Sequence, residues 1–456
     1  AEINGNNKDD DNNGYIDDIH GWNFLGNPKG ESIIAETLGI TRLYREYSEK
    51  FAGKDKFNIS AEEKPEYLKF LKYKKEYETE FSQLKERAER NEEEAAFFSQ
   101  LIPPLQKALK KEVFSTRDLN RFKTGNAALA NAKQKFLNIL ARNEGLTAEK
   151  LIAHYEEVAE RIESLQLRLD HNYNMDFNGR TLIGDNDEDK TEKFYGNQDV
   201  TKRSEHGTHV SGIIAATRDN DLGVQGIANK VQVMAVRAVP MGDEADKDVA
   251  NGIRYAVDNG AKIINMSFGK GYSPYKEVVD AAVKYAEEKG VLLVHGSGND
   301  GKNIDLYYSY PSPLMEDGTL VSNWIEVGAS SPKKNEELPA SFSNYGKKSV
   351  DIFAPGVDIY ATLPGSKYGT RSGTSMASPV VAGVAALIRS HFPEFSPAEV
   401  KEILIASGDL YDHSVTLPGD DVQIKFASLS KSGKVVNAYK AVELAIAKRK
   451  AMNESK

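Results

Sequence analysis

Three short stretches hold the side-chain types that acyl transfer needs. Thr374-Ser375-Met376-Ala377-Ser378-Pro379 follows Gly373 and runs into the apolar sequence V-V-A-G-V-A-A-L-I, which puts the Ser375 hydroxyl at a loop-to-helix junction. Free backbone N–H groups and the helix dipole favour a developing oxyanion there. Ser375 is therefore a candidate nucleophile, although the same triplet in isolation is more often a helix cap. Its company decides. Upstream, E-H-G-T-H-V-S-G-I-I-A-A places His206 at the start of an apolar helix, where a neutral imidazole can take a hydroxyl proton. His209, three residues on, lacks the Glu of a zinc-binding H-E-x-x-H pattern and reads as a packed or hydrogen-bonded partner. In V-L-L-V-H-G-S-G-N-D, Asn299 follows a buried strand and a Gly-rich turn, so its amide can serve as an oxyanion donor.

Together, H-G-T-H-V-S-G at His206, G-S-G-N at Asn299 and G-T-S-M-A-S-P at Ser375 resemble the signatures of the subtilisin-like serine proteases, in that family's order and spacing. I-N-M-S-F-G around Ser267, A-S-F-S-N-Y-G from Ala340 and D-I-F-A-P-G from Asp351 extend the resemblance. It implies a parallel sheet flanked by helices, serine endopeptidase activity on polypeptide substrates, and a secreted, periplasmic or cell-surface location. It further implies catalytic roles for Ser375, His206 and Asn299, and substrate-cleft edges at Ser267, Phe268 and Gly269 and near Val239 to Gly242. His295, Gly296, Ser297 and Gly298 would line the specificity pocket. There are two departures. Lys270 stands where the family has a second glycine after Ser-x-Gly, and no D-S-G or D-T-G occurs to supply the triad's Asp. The expectation is that the strand bearing that Asp is encoded upstream of Ala1. The rival expectation is a catalytically inactive binding module that keeps the fold and docks through a helical insertion.

The opening segment Asp9-x-Asp11-x-Asn13-Gly14-Tyr15-Ile16-Asp17-Asp18 has the oxygen-ligand spacing of an EF-hand-type loop, with glycine at its sixth position. Asp9, Asp11, Asn13, Asp17 and Asp18 are thus candidate ligands for a structural calcium ion, with His20 where the bidentate Glu would stand. Asn220, in a D-N-D-L-G-V loop similar to a calcium loop of the same family, is a second candidate.

These groups need a scaffold. Val231 to Arg237, Lys262 to Ser267, Val291 to His295 and Trp324 to Ala329 are short apolar runs that alternate with helical stretches such as Ala245 to Asn259 and Tyr275 to Lys289. That rhythm predicts an α/β fold: a parallel sheet with helices on both faces and ligands at the strands' carboxyl ends. Residues 1–30 read as an Asp/Asn-rich loop that begins this domain, and 176–456 as its main part. Residues 31–175, rich in Glu, Lys and Arg, read as an α-helical, coiled-coil-like insertion. Ser60 and Glu63 make a capping box, and Phe70, Tyr73, Tyr77, Phe81, Leu84 and Ala88 recur at steps of three or four. Pro103 and Pro104 stop or kink what precedes them, and Thr147 caps a helix with the stripe Leu151, Tyr155, Val158, Ile162, Leu165 and Leu169. Antiparallel helical hairpins fit this pattern.

The 456 residues include no cysteine, which excludes disulfides, thiolate metal sites and thiol catalysis. A net charge of −9 supplies no global basic field, so nothing favours a nucleic-acid partner. No run of about 18 apolar residues is present to form a transmembrane segment. A propeptide, or a docking partner for the insertion, completes the expected set of partners.

Overall fold

The computed structural model describes residues 2–3, 5–186, 189–202 and 204–454. The chain divides into two units, residues 40–177 on the one hand and residues 1–39 with 178–456 on the other.

The unit of residues 40–177 is helical. It comprises α1 (Gly39–Lys50), α2 (Lys64–Ser99), α3 (Ile102–Leu109), α4 (Thr116–Arg121), α5 (Ala127–Arg142) and α6 (Ala148–Leu167). Ser60 and Glu63 exchange the two bonds of a capping box, each 3.2 Å long, just ahead of α2. Thr147 caps α6 by accepting from Lys150 N–H. Tyr77, Leu84 and Ala88 of α2 and Leu151, Val158 and Leu165 of α6 are buried, as the apolar stripes require. Two side-chain pairs give the direction: His154 meets Glu94 at 2.8 Å, and Tyr173 donates to Glu80 at 2.9 Å. One partner's number rises as the other's falls, so the two helices are antiparallel. Pro103 and Pro104 sit in the first turn of α3, where no intrahelical N–H is needed. One feature was not legible from periodicity. The helices α3, α4 and α5 gather around Ile102, Leu105, Phe114, Leu119 and Phe136, together with Leu151 and Ile152 of α6.

Residues 31–39, expected within the insertion, lie in the other unit. Met241 N–H donates to Ile34 O at 2.8 Å and Glu36 N–H donates to Met241 O at 2.9 Å. This strand-like pairing holds the chain until Gly39.

In that other unit, β1 (Gly21–Asn23) pairs in parallel with β2 (Ala235–Arg237). A six-stranded sheet has the order β3 (Ile263–Met266), β4 (Leu292–Gly296), β5 (Trp324–Ser330), β6 (Ile352–Pro355), β12 (Lys434–Val435), β9 (Asp409–Leu410). It is parallel from β3 to β12, and β9 alone runs antiparallel. Two hairpins, β7 (Ile359–Leu363) with β8 (Lys367–Arg371) and β10 (Ser414–Thr416) with β11 (Gln423–Lys425), stand apart. The helices are α7 (Arg180–Ile183), α8 (Glu205–Ala215), α9 (Asp246–Asp258), α10 (Lys276–Glu288), α11 (Thr374–His391), α12 (Pro397–Ser407) and α13 (Ala438–Glu454).

Helices cover both faces of the sheet. Leu292, Val294, Ile325 and Val327 face α11, α12 and α13, whereas Leu293 and Trp324 face α9 and α10. Neighbouring residues of one strand thus serve opposite layers, which is why these strands are apolar without alternation. Among the described residues, β2 and β3 each keep one unpaired edge. The helix α9 joins them and packs on both: Gly252 lies against Val236 and Ala238, and Ile253 belongs to the cluster that includes Met266 and Ile264.

Candidate active site

Ser375 is the second residue of α11, and its Oγ donates to Ser267 O at 3.2 Å. Its backbone N–H has no acceptor among the described residues, as befits the first turn of a helix. Beside it, Asn299 Oδ1 accepts from both the N–H and the hydroxyl of Thr374, at 2.8 and 3.1 Å. A backbone N–H can only donate, so this contact identifies the amide oxygen and leaves Nδ2 as a donor. The Thr374 hydroxyl also accepts from Gly298 N–H at 3.1 Å. An oxyanion between Asn299 Nδ2 and Ser375 N–H would meet two donors. Pro379 acts from within the helix. It has no N–H to offer the carbonyl of Ser375, and Ser267 Oγ donates to that carbonyl at 2.9 Å instead. The end of β3 is thereby tied to the helix of the nucleophile.

His206 is the second residue of α8. Val210, one turn on, and Met376, next to Ser375, belong to one apolar cluster, which brings the two helix starts side by side. Glu205 pairs with Arg371, at the end of the strand that leads to Ser375. Desolvation, then the charges of Arg371 and His209, lower the pKa of His206, although the residue keeps an exposed face. The shift favours the neutral imidazole, the form a general base needs. Among the described residues no hydrogen bond joins it to Ser375 or to a carboxylate. His209 is fully buried and donates from Nε2 to Gly369 O at 3.1 Å, in the hydrogen-bonded role expected for it.

The cleft edge is braced from within. His295 Nε2 donates to Phe268 O at 2.7 Å, its Nδ1 lies 2.9 Å from Glu326 Oε1, and Trp324 Nε1 donates to Glu326 Oε2 at 2.8 Å. Desolvation pulls the His295 pKa down, but the Glu326 carboxylate and the Phe268 carbonyl together bring the net shift upward. His295, Gly296 and Ser297 are buried, so the imidazole supports the Phe268–Gly269 edge rather than facing an open pocket. Lys270 also turns inward: Nζ donates to Glu244 O at 2.6 Å and pairs with Asp246 at 2.7 Å. It links the segment after Gly269 to the segment after Gly242. Gly298 has φ +101°, and a Cβ there would collide with Asn344. Asn344 donates to Ser297 O at 2.9 Å and accepts from Asp300 and Lys302 N–H at 3.0 and 2.9 Å, holding the turn that presents Asn299. Sequence reasoning missed Thr374, Asn344 and Glu326 as supporting residues. Asn344 lay in a motif already singled out, and Glu326 is an acid in an otherwise apolar strand.

In the opening loop, carboxylate oxygens of Glu2, Asp9 and Asp11 all lie within 4.8 Å of one another. Asp9 and Asp11 were expected there; Glu2 was not. Asp17 and Asp18 stand outside this group. Asp17 accepts from the N–H groups of Gly5, Asn6 and Asn7, and Asp18 accepts from Tyr255 OH at 2.6 Å and Asn13 Nδ2 at 3.0 Å. Asn13 Oδ1 accepts from Tyr15 N–H at 2.8 Å. Those three residues hold the loop's shape. Gly14, at the sixth position, has φ +95°, the sharp turn expected of it.

A parallel sheet with helices on both faces, carrying a helix-start serine beside a donor asparagine, defines the class of the subtilisin-like fold. Residues 160–426 match the Subtilase family, and the chain belongs to it. It is 43% identical over 186 residues to the thermophilic serine proteinase of Bacillus sp. (strain AK1), covering 41% of this chain and 42% of that one. It is 42% identical over 186 residues to thermitase of Thermoactinomyces vulgaris, covering 41% and 61%. With Subtilisin BL of Lederbergia lenta the identity is 40% over 200 residues, covering 44% and 68%. The chain thus spans about half the length of the first of these relatives.

Proposed function

We propose that the chain carries the nucleophile, base and oxyanion donors of a serine endopeptidase acting on polypeptides. Ser375 Oγ bonds to the scissile carbonyl carbon as His206 takes its proton, and Asn299 Nδ2 with Ser375 N–H hold the oxyanion. His206 then delivers the proton to the leaving amine, and water releases the acyl group by the same steps. The observation that carries this reading is the grip of Thr374 on Asn299 Oδ1, which presents the amide N–H₂ beside a Ser375 N–H that has no acceptor among the described residues. We place the triad's acid at the carboxyl end of a strand seated between the unpaired edges of β2 and β3. Incubation with a fluorophosphonate, with and without an apolar strand peptide ending in Asp-Ser-Gly, tests this. Labelling confined to Ser375, lost in Ser375→Ala and accelerated by the peptide, is expected; equal labelling of Ser267 or Ser378 overturns it.

One observation favours the second reading, an inactive subtilisin-fold binding module: the Ser375 hydroxyl donates to Ser267 O rather than to an imidazole. Absence of labelling with the peptide present would select it. We further propose a structural calcium ion held by Glu2, Asp9 and Asp11, three hard oxygen donors to which no basic side chain among the described residues is bonded. Chelator should lower the thermal midpoint and added calcium restore it, because a cation bound only by the folded loop stabilises through mass action; an unmoved melting curve overturns the site. Among the described residues no helix is long and apolar enough to cross a membrane, and a secreted, periplasmic or cell-surface location is proposed on the family resemblance.

A further inference from the structure

Charge is distributed unevenly along the helical unit. Residues 101–142 carry nine Lys and Arg against two Asp and Glu, a net +7 in a chain whose net charge is −9. The sign reverses at once: residues 143–177 carry three Lys and Arg against eight Asp and Glu. The basic stretch folds as α3, α4 and α5 around Ile102, Leu105, Phe114, Leu119 and Phe136, and Phe98 of α2 with Ala148, Leu151 and Ile152 of α6 close the same core. At 1.5 Å per residue α3 and α4 are only about 12 and 9 Å long, so their cations lie close to one another on the scale of the Debye length.

Lys107, Lys110, Arg117, Arg121, Lys123 and Lys135 are all exposed. Of the two acids within the stretch, Asp118 is engaged by Lys111 at 2.7 Å and by the Ser115 capping box, which leaves Glu112; Glu144 and Glu149 follow in the segment that closes the core. Arg117 and Arg121 stand four apart on one helix face, where like charges repel. Such crowding weakens the bundle slightly unless an anionic partner neutralises it.

We propose that this helical cap is a docking surface for an anionic lipid bilayer. Val113 is 53% exposed just after Lys110, Lys111 and Glu112, an apolar side chain at the edge of a mainly basic segment that suits a headgroup interface. A single-stranded nucleic acid fits less well, because single strands are held by exposed aromatic rings, and of the three rings in the stretch Phe114 and Phe136 are buried and Phe122 is half-buried. The surface does not depend on the peptidase reading.

The full chain, sedimented with vesicles of phosphatidylcholine alone or with about 30% phosphatidylserine, tests the proposal. Binding to the anionic vesicles at least about tenfold above the neutral ones, and lost at high salt, is expected. Combined Lys110→Glu, Arg117→Glu, Arg121→Glu and Lys123→Glu substitutions should abolish the difference with the helical circular dichroism unchanged. If that variant unfolds, the corresponding Gln substitutions are read instead. Equal binding to both vesicle types, no binding to either, full binding by the folded variant, or tighter binding to duplex DNA than to the anionic vesicles overturns it.

Discussion

Thr374 decides which end of the Asn299 amide faces the site, and that small choice carries the proposed chemistry. If Nδ2 acts on the oxyanion, Asn299→Ala should lower kcat on a peptide ester by roughly 10² to 10³ with KM nearly unchanged, because the donor acts on charge that develops after binding. Loss in KM alone would make Asn299 a cleft residue. The base has its own signature. Desolvation, Arg371 and His209 hold the His206 pKa down, and of these the Arg371 charge is the one a substitution can remove. Without that cation protonation becomes easier, so the pKa rises and the imidazole stays protonated to higher pH. Arg371→Met should therefore shift the acid limb of Ser375 acylation to higher pH; a fixed limb would mean that Arg371 does not act on His206. The places of Ser375, His206 and Asn299 at element boundaries were legible in the sequence, because caps and turns leave local patterns. The roles of Thr374 and Glu326 were not, since orienting bonds between residues 75 and 31 apart leave no local pattern.

At the scale of elements, the cleft edges are tied together by buried charge. Lys270 pairs with Asp246 where both side chains are about 2% exposed, and Asp246 also accepts from Ser273 and from Tyr275 N–H. Lys270→Met should lower stability by about 3 to 5 kcal/mol, because it strands a buried carboxylate that keeps its neutral donors but loses its counter-ion. A urea midpoint within error of the parent would show that water reaches the site. Lys270 itself was visible in the sequence as a departure from glycine; the direction of its side chain was not, because its partner comes from a different loop. The helical stripes were similarly half legible. Spacing marked the apolar faces of α2 and α6 and their antiparallel pairing, but the short helices α3 to α5 are too brief for periodicity to tell a closed bundle from a loop. Residues 31–39 were misplaced for a related reason: their pairing with Met241 is made by backbone groups, on which composition is silent.

At the scale of the whole molecule, the two units have separate apolar clusters. Residues 98–152 supply one helical core, and the sheet supplies two others with α9 to α13. In the sheet unit the chain's departure and return also lie together, since a Cβ on Gly179 would meet Ala35 O at 3.1 Å. A bridge from Gly39 to Asn178 therefore has little distance to span, and loop-closure entropy changes only slowly with the length removed. Deleting residues 40–177 with a short Gly/Ser bridge should leave a folded sheet unit whose fluorophosphonate labelling at Ser375, in the presence of the strand peptide, matches that of the parent. The excised helices should fold alone with a cooperative melt, as their own buried Phe114, Phe136 and Ile152 require. If the deletion is soluble and compact but Ser375 no longer labels, the insertion supports the catalytic geometry directly; if neither piece folds, the clusters are not independent cores.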